Sequence, residues 1–81
     1  HILYLKENIE EIIKKIDPVI SMHDFRVVAG PTHTNLIFDI VVPYDYRISD
    51  EGLVGQIQEC AAKKLGEGHF VVVQVDKAYC K

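Results

Sequence analysis

The sequence predicts a small α+β domain with the element order αββαβ. Two segments carry apolar residues at helical spacing, and three have the alternation or β-branched composition of strands. A Gly-Pro turn signal separates the first two strands, and the second helix separates the last two. We therefore expect a hairpin followed by a strand–helix–strand crossover, which gives a three-stranded mixed sheet with both helices on one face.

Length and composition limit the class of protein. The 81 residues make a single domain, 1–81, and so short a chain buries only about 60% of the surface that its unfolded form exposes. No apolar run approaches the roughly 18 residues of a membrane-spanning helix. The net charge is −3 and no block of like charges occurs, so we expect no nucleic-acid partner.

The cysteines and the first residue bear on the cellular context. Cys60 and Cys80 are too few for a disulfide framework and lack Cys-x-x-Cys spacing, so we interpret them as reduced thiols of a cytosolic domain. The chain opens on His1, and because Lys6 to Lys15 is a charged amphipathic pattern instead of an apolar one, we expect no signal peptide here. We expect it to be a fragment of a longer protein, or to carry a tag remnant at that position.

The first helix is amphipathic and ends at a proline. Its apolar face is formed by Leu5, Ile9, Ile12, Ile13 and Ile16. Charged residues fill the opposite face. We expect the helix to end at Asp17, because the ring of Pro18 disfavours helical geometry at the residue before it.

The segment from Val19 to Val28 is the first predicted strand, because it is rich in β-branched and aromatic residues. Within it, His23, Phe25 and Val27 form one set of alternate positions, and Asp24 and Arg26 form the other. The spacing predicts that the Asp24 and Arg26 side chains share one strand face and form an ion pair there.

The second strand follows the turn at 29–32 and ends at Pro43. One face is formed by Leu36, Phe38, Ile40 and Val42. The other face carries Asn35, Ile37, Asp39 and Val41. Strand alternation therefore places Asp39 away from the apolar face.

The second helix and the third strand complete the domain. Ser49 is the predicted N-cap, and Gly66 ends the helix. The apolar stripe of the helix is formed by Leu53, Ile57, Ala61 and Leu65. The strand from Phe70 to Val75 places Val71, Val73 and Val75 on one face and Phe70, Val72, Gln74 and Asp76 on the other.

Two helices can cover only one side of the sheet, so the other side should be open. That side is predicted to carry polar groups beside the apolar residues Ile37, Val41, Phe70 and Val72. An apolar open face on so small a domain indicates a second copy, a partner domain or a ligand.

The chain resembles the C-terminal cytoplasmic domain of the cation diffusion facilitator transporters. The resemblance rests on the run His23-Asp24-Phe25-Arg26, on Gly30-Pro31-Thr32, on the αββαβ order and on an acidic residue at the end of the last strand. It implies a ferredoxin-like, metallochaperone-like fold and a homodimer. It also implies a transmembrane domain upstream in the same chain, which exports zinc, manganese or similar divalent cations in exchange for protons. The domain would lie on the cytoplasmic side of the cell membrane and would not be an enzyme.

The resemblance also implies a set of metal ligands. Relatives with zinc sites use the His of the His-Asp run, a His on the second strand and a His-x-Asp pair on the last strand. His23 and Asp76 match the first and last of these positions, and Gln74 stands where the last strand usually has His. The second-strand position is Phe38 in an ungapped alignment and Asp39 with one inserted residue, and strand alternation favours Asp39.

The implied set His23, Asp39, Gln74 and Asp76 has one imidazole and no thiolate. Zinc prefers nitrogen and sulfur ligands, so these residues favour manganese or a weak, exchangeable site over a tight zinc site. The competing interpretation is that His23 is a strand histidine bonded to a neighbour and that Asp76 simply ends a strand.

Other candidates are weaker. His33 and His69 lie at loop or strand ends, and we interpret each as an ordinary exposed side chain, with contact to a metal ion as the alternative. The sequence contains neither a nucleophile with its catalytic base nor a glycine-rich phosphate loop. The alternative function is a stand-alone ACT-like regulatory domain that binds a small molecule such as an amino acid.

Overall fold

The computed structural model describes residues 2–78, so Cys80 lies outside the described residues. The elements are α1 (Ile2–Ile16), β1 (Ser21–Ala29), β2 (Thr34–Pro43), α2 (Asp50–Leu65) and β3 (His69–Ala78). The sheet has the order β1-β2-β3, with β1 antiparallel and β3 parallel to the central β2. The predicted αββαβ order and three-stranded mixed sheet are confirmed.

One core lies between the helices and one face of the sheet. Its buried residues come from both helices, from alternate positions of β2, from the position before β1 and from β3: Leu5, Ile9, Ile12, Ile13, Ile20, Leu36, Phe38, Ile40, Val42, Leu53, Ile57, Ala61 and Val71. The buried set of β2 is the one that strand alternation predicted. Both helices therefore cover the same side of the sheet, and the opposite side is open.

The ends of both helices follow local chemistry. The α1 helix ends at Ile16, and the Asp17 carboxylate accepts a hydrogen bond from the Val19 N–H at 3.0 Å. At the start of α2, the Ser49 hydroxyl oxygen accepts from the Gly52 N–H at 3.1 Å. Gly66 caps the other end with φ 86°, a left-handed value that glycine tolerates. The predicted caps of α2 are confirmed, and α1 ends one residue before the predicted Asp17.

The regular alternation predicted for β1 is wrong, because the strand contains a β-bulge. Asp24 and Phe25 together lie opposite the single residue Phe38, and Asp24 has φ 58°. On either side of the bulge the partners are His23 with Asp39 and Arg26 with Ile37. The bulge inserts one residue into β1. As a result, odd-numbered His23 before the bulge and even-numbered Arg26 after it lie on the same, open face of the sheet.

The bulge separates His23 from Phe25. The Phe25 ring packs on Phe38 in the core, with ring centroids 6.0 Å apart, whereas His23 lies on the open side. The predicted ion pair between Asp24 and Arg26 is also wrong. Within residues 2–78 the ion pairs are Lys64 with Glu11 and Lys77 with Asp50.

Two polar contacts connect α1 and its end to later parts of the chain. Lys64 of α2 donates to the Glu11 carboxylate of α1, and this hydrogen bond lowers the pKa of Glu11. The Tyr46 hydroxyl donates to Asp17 Oδ2 at 2.9 Å, which ties the β2–α2 loop to the end of α1. The pKa of Tyr46 is raised, chiefly by its burial and then by this hydrogen bond.

Candidate functional site

The open face of the sheet is divided into an apolar end and a polar end. Strand pairing arranges its residues in four rows across β1, β2 and β3: Val28, Asn35 and Phe70; Arg26, Ile37 and Val72; His23, Asp39 and Gln74; Ser21, Val41 and Asp76. We call the first two rows the apolar end and the last two the polar end.

The apolar end leaves large hydrophobic side chains in solvent. Val28, Phe70 and Val72 are 50%, 54% and 51% exposed, although they lie on neighbouring positions of one sheet. Ile37 lies between them on the central strand and is half-buried. Asn35 and Arg26 lie in the same two rows, and exposed apolar side chains clustered in this way beside polar ones are typical of an interaction site.

The polar end holds all four predicted metal ligands on one face. His23 lies directly opposite Asp39, and Asp39 lies beside Gln74 on the parallel strand. Asp76 follows two residues after Gln74 and therefore points to the same side. Side chains at directly opposed positions have Cβ atoms about 4.5–5.5 Å apart, so His23 and Asp39 are neighbours.

Asp39 and Phe38, the two alternatives for the second-strand position, lie on opposite faces of the sheet. Phe38 is 0% exposed and lies in the core beneath the helices. Asp39 is half-buried on the opposite side, where β1 and β3 bring His23 and Gln74 beside it. Of the two alternatives that the sequence left open, only Asp39 can take part in a site on the open face.

The polar end is not organised as a closed coordination sphere. The His23 ring nitrogen Nε2 lies 3.2 Å from the Ser21 hydroxyl oxygen, and Gln74 Nε2 donates to Asp76 Oδ1 at 3.4 Å. No group of three or more His, Cys, Asp or Glu side chains within residues 2–78 lies close enough to hold a metal ion. The polar end thus presents an imidazole and two carboxylates on one sheet face, but within the described residues they do not form a preformed cation site.

Sequence reasoning missed a second cluster of polar groups, at the end of the sheet where β2 and β3 begin. A cleft of about 620 Å³ lies there between the β1–β2 turn and the α2–β3 turn. Its lining includes both histidines that the sequence indicated as ordinary surface residues, His33 and His69. The predicted parallel pairing of β2 with β3 could have indicated that His33 and His69 line one cleft, because it places the first residues of the two strands side by side.

The fold and the open face define a small α+β module that has one uncovered sheet surface. A family model described as "cation efflux protein, cytoplasmic domain" matches residues 5–78. The chain belongs to this family, as the His-Asp run and the element order indicated. No curated protein and no solved structure matched the chain. None of the helices described is long and apolar enough to cross a membrane.

Proposed function

We propose that this chain is the regulatory and dimerisation domain of a divalent metal cation efflux transporter. The observation that carries the proposal is the family match over residues 5–78. In this proposal the transmembrane domain belongs to the same polypeptide, and it exchanges the cation for protons. The αββαβ domain lies on the cytoplasmic side of the cell membrane, has no catalytic role and binds no nucleic acid.

The apolar end of the open face supports self-association. Val28, Phe70 and Val72 are each about half exposed, and removing their apolar surface from water favours association with a second copy. A chain of this size also has a small core of its own, so a second copy adds to its stability. We propose a homodimer in which the two apolar ends pack together.

The position of the polar end supports regulation of the dimer by a divalent cation. His23, Asp39, Gln74 and Asp76 lie beside the apolar end on the same face. A divalent cation bound there would neutralise the Asp39 and Asp76 carboxylates and favour the approach of a second copy. We propose that manganese, or zinc at an exchangeable site, binds at the polar end and strengthens the dimer.

Sedimentation velocity tests the dimer. We expect the parent chain to sediment as a dimer and Phe70→Glu with Val72→Glu to sediment as a monomer, because the charges would be buried at the interface. Val19→Glu is the matched control, since Val19 is 55% exposed but lies in the turn between α1 and β1. A parent chain that stays monomeric with and without divalent cations would contradict the proposal.

Thermal unfolding in the presence of ligands separates the proposal from the ACT-like alternative. A ligand that binds only the folded chain raises its melting temperature. We expect manganese or zinc to do so, and amino acids to have no effect. Stabilisation by an amino acid and by no divalent cation would favour the small-molecule-binding domain.

A further inference from the structure

The pairing of β3 with β2 shows which backbone groups of β3 point away from the sheet. The Thr34 N–H donates to the Gly68 carbonyl at 2.7 Å, and the Tyr44 N–H donates to the Ala78 carbonyl at 3.1 Å. Both acceptors belong to even-numbered residues, and the parallel register between them is unbroken. Because successive residues of a strand direct their backbone groups to opposite sides, the odd-numbered residues point outward: His69, Val71, Val73, Val75 and Lys77.

The two edges of the sheet differ in how well they are protected. The β1 edge carries the bulge at Asp24, and bulges are a common device that keeps an edge strand from pairing with other chains. The β3 edge pairs with β2 without interruption over ten residues. From His69 to Val75 it contains no Asp, Glu, Lys or Arg. An unbroken, β-branched and uncharged edge of this kind favours the addition of a further strand.

The cleft of about 620 Å³ borders the beginning of the β3 edge. Its lining includes Gln58 and Ala62 of α2 and His69 and Val71 of β3. Val71 belongs to the core beneath the helices, and alternate positions share a face, so His69 lies on the helix side as well. The beginning of the β3 edge and the flank of α2 therefore border one open space.

His69 has polar capacity that the fold does not use. Its Nδ1 atom is buried without a hydrogen-bond partner, and it is the one such side-chain atom found within residues 2–78. Buried polar atoms in folded proteins almost always have partners, so this exception calls for an explanation. A polypeptide strand beside β3 would bring backbone and side-chain polar groups into the cleft.

The charges around the cleft indicate what such a strand should carry. The lining includes the Glu67 carboxylate and Gly66 at the C-terminal end of α2, where the backbone carbonyls concentrate negative potential. Among the described residues that line the cleft, none is Lys or Arg. A basic side chain is therefore attracted to the beginning of the β3 edge, and an acidic one is repelled.

We propose that the β3 edge binds an extended segment of another polypeptide, which adds a fourth strand antiparallel to β3. Domains with an accessible sheet edge commonly bind peptides in this way, and antiparallel pairing is slightly more stable than parallel pairing. The segment carries β-branched residues, which pack beside Val71 and Val73 on one face and Phe70 and Val72 on the other. Its C-terminal end lies beside the beginning of β3 and carries Lys or Arg. Such a strand lies in the plane of the sheet, so the proposal does not depend on a dimer at the open face.

Amide hydrogen exchange followed by NMR tests the edge residue by residue. The probe is the blocked octapeptide Thr-Val-Thr-Val-Thr-Val-Thr-Lys, with the same peptide ending in Glu as the control. We expect the Lys peptide to slow exchange at the outward amides of Val73 and Val75, and the Glu peptide to bind at least about threefold more weakly. The amides of Val72 and Gln74 face β2, so they should be slow with and without peptide.

The same measurement identifies other occupants of the edge. Failure of both peptides at millimolar concentration to protect the Val73 and Val75 amides would overturn the proposal. Protection of these amides that rises with protein concentration in the absence of peptide would also overturn it, because a second copy would then occupy the edge. Neither outcome depends on whether a substituted chain folds.

A proline at Val73 gives the second measurement. The Val73 N–H points away from β2, so Val73→Pro removes an outward donor and leaves the pairing of β2 with β3 intact. We expect this variant to bind the Lys peptide at least about tenfold more weakly than Val73→Ala does, since it loses a hydrogen bond and places its ring against the added strand. Val73→Ala is the matched control, because it shortens the same side chain and keeps the N–H. Equal binding by the two folded variants would refute the site, and the dimer test uses other residues.

Discussion

His23 lies directly opposite Asp39 on the open face, although Phe25, only two residues later, packs on Phe38 in the core. In a regular strand, positions two apart share a face. The bulge at Asp24 removes this constraint, so that one short segment supplies both a core aromatic residue and a candidate metal ligand. The local distortion of β1 is therefore what assembles the polar end.

The backbone of Asp24 gives the first prediction. With φ 58°, Asp24 occupies the left-handed region, which Asp tolerates and β-branched residues do not. We expect Asp24→Val to destabilise the fold by about 1–2 kcal/mol and Asp24→Gly to leave it unchanged or slightly more stable. Urea unfolding measures both. Equal stability of the Val and Gly variants would show that the bulge is not strained.

The polar end gives the second prediction. His23→Ala and Asp76→Ala should each weaken manganese binding by about tenfold or more, because each removes a donor from a site with few ligands. Calorimetric titration measures the effect. Asp45→Ala is the control, since Asp45 is an exposed acid in the β2–α2 connection. If both site variants bind as the parent does, the ion lies elsewhere.

The contact between Tyr46 and Asp17 gives the third prediction. The pKa of Asp17 is lowered, first by the hydrogen bond from the Val19 N–H and then by that from the Tyr46 hydroxyl. A lowered pKa in the folded state contributes stability above the ordinary value of 3.8, and this contribution is lost as the pH falls through the lowered value. Tyr46→Phe should thus lower the melting temperature by roughly a few degrees near neutral pH.

The lowered pKa of Asp17 also determines how the stability difference between the parent chain and Tyr46→Phe depends on pH. The difference between the parent chain and Tyr46→Phe should shrink as Asp17 becomes protonated below its ordinary pKa. Asp17→Asn is the control background, because it removes the titrating carboxylate, and there the difference should be independent of pH. A difference that grows on acidification would exclude the hydrogen bond to Asp17 as its cause.

Two glycines of α2 give the fourth prediction. A Cβ atom at Gly55 would meet nothing within 4 Å, so Gly55→Ala should stabilise the helix by about 0.5–1 kcal/mol. At Gly52 the same atom would lie 3.1 Å from the Ser49 hydroxyl oxygen that caps the helix. Gly52→Ala is therefore the matched comparison, and crowding of the cap should offset most of its gain. Urea unfolding of the two variants distinguishes these outcomes.

The elements that sequence reasoning located correctly are those with local causes. Pro18 ends α1, the Ser49 hydroxyl caps α2 and Gly66 ends it, each through contacts within a few residues. Strand alternation also placed Asp39 on the open face, because β2 is the regular central strand and its pattern is not interrupted. At these positions, the residue and its immediate neighbours in the sequence are sufficient to predict the local structure.

The arrangement of the candidate sites depended on the tertiary structure. Whether Phe25 turns into the core depends on Phe38, which reaches it only when β1 pairs with β2, and no periodicity within β1 records that contact. In the same way, His33 and His69 share a cleft only because β2 and β3 pair in parallel from Thr34 and His69 onward. The sequence by itself determined the elements, their caps and the faces of the regular strand. The bulge and the strand register were decided by contacts between residues far apart in the chain, which no local pattern can encode.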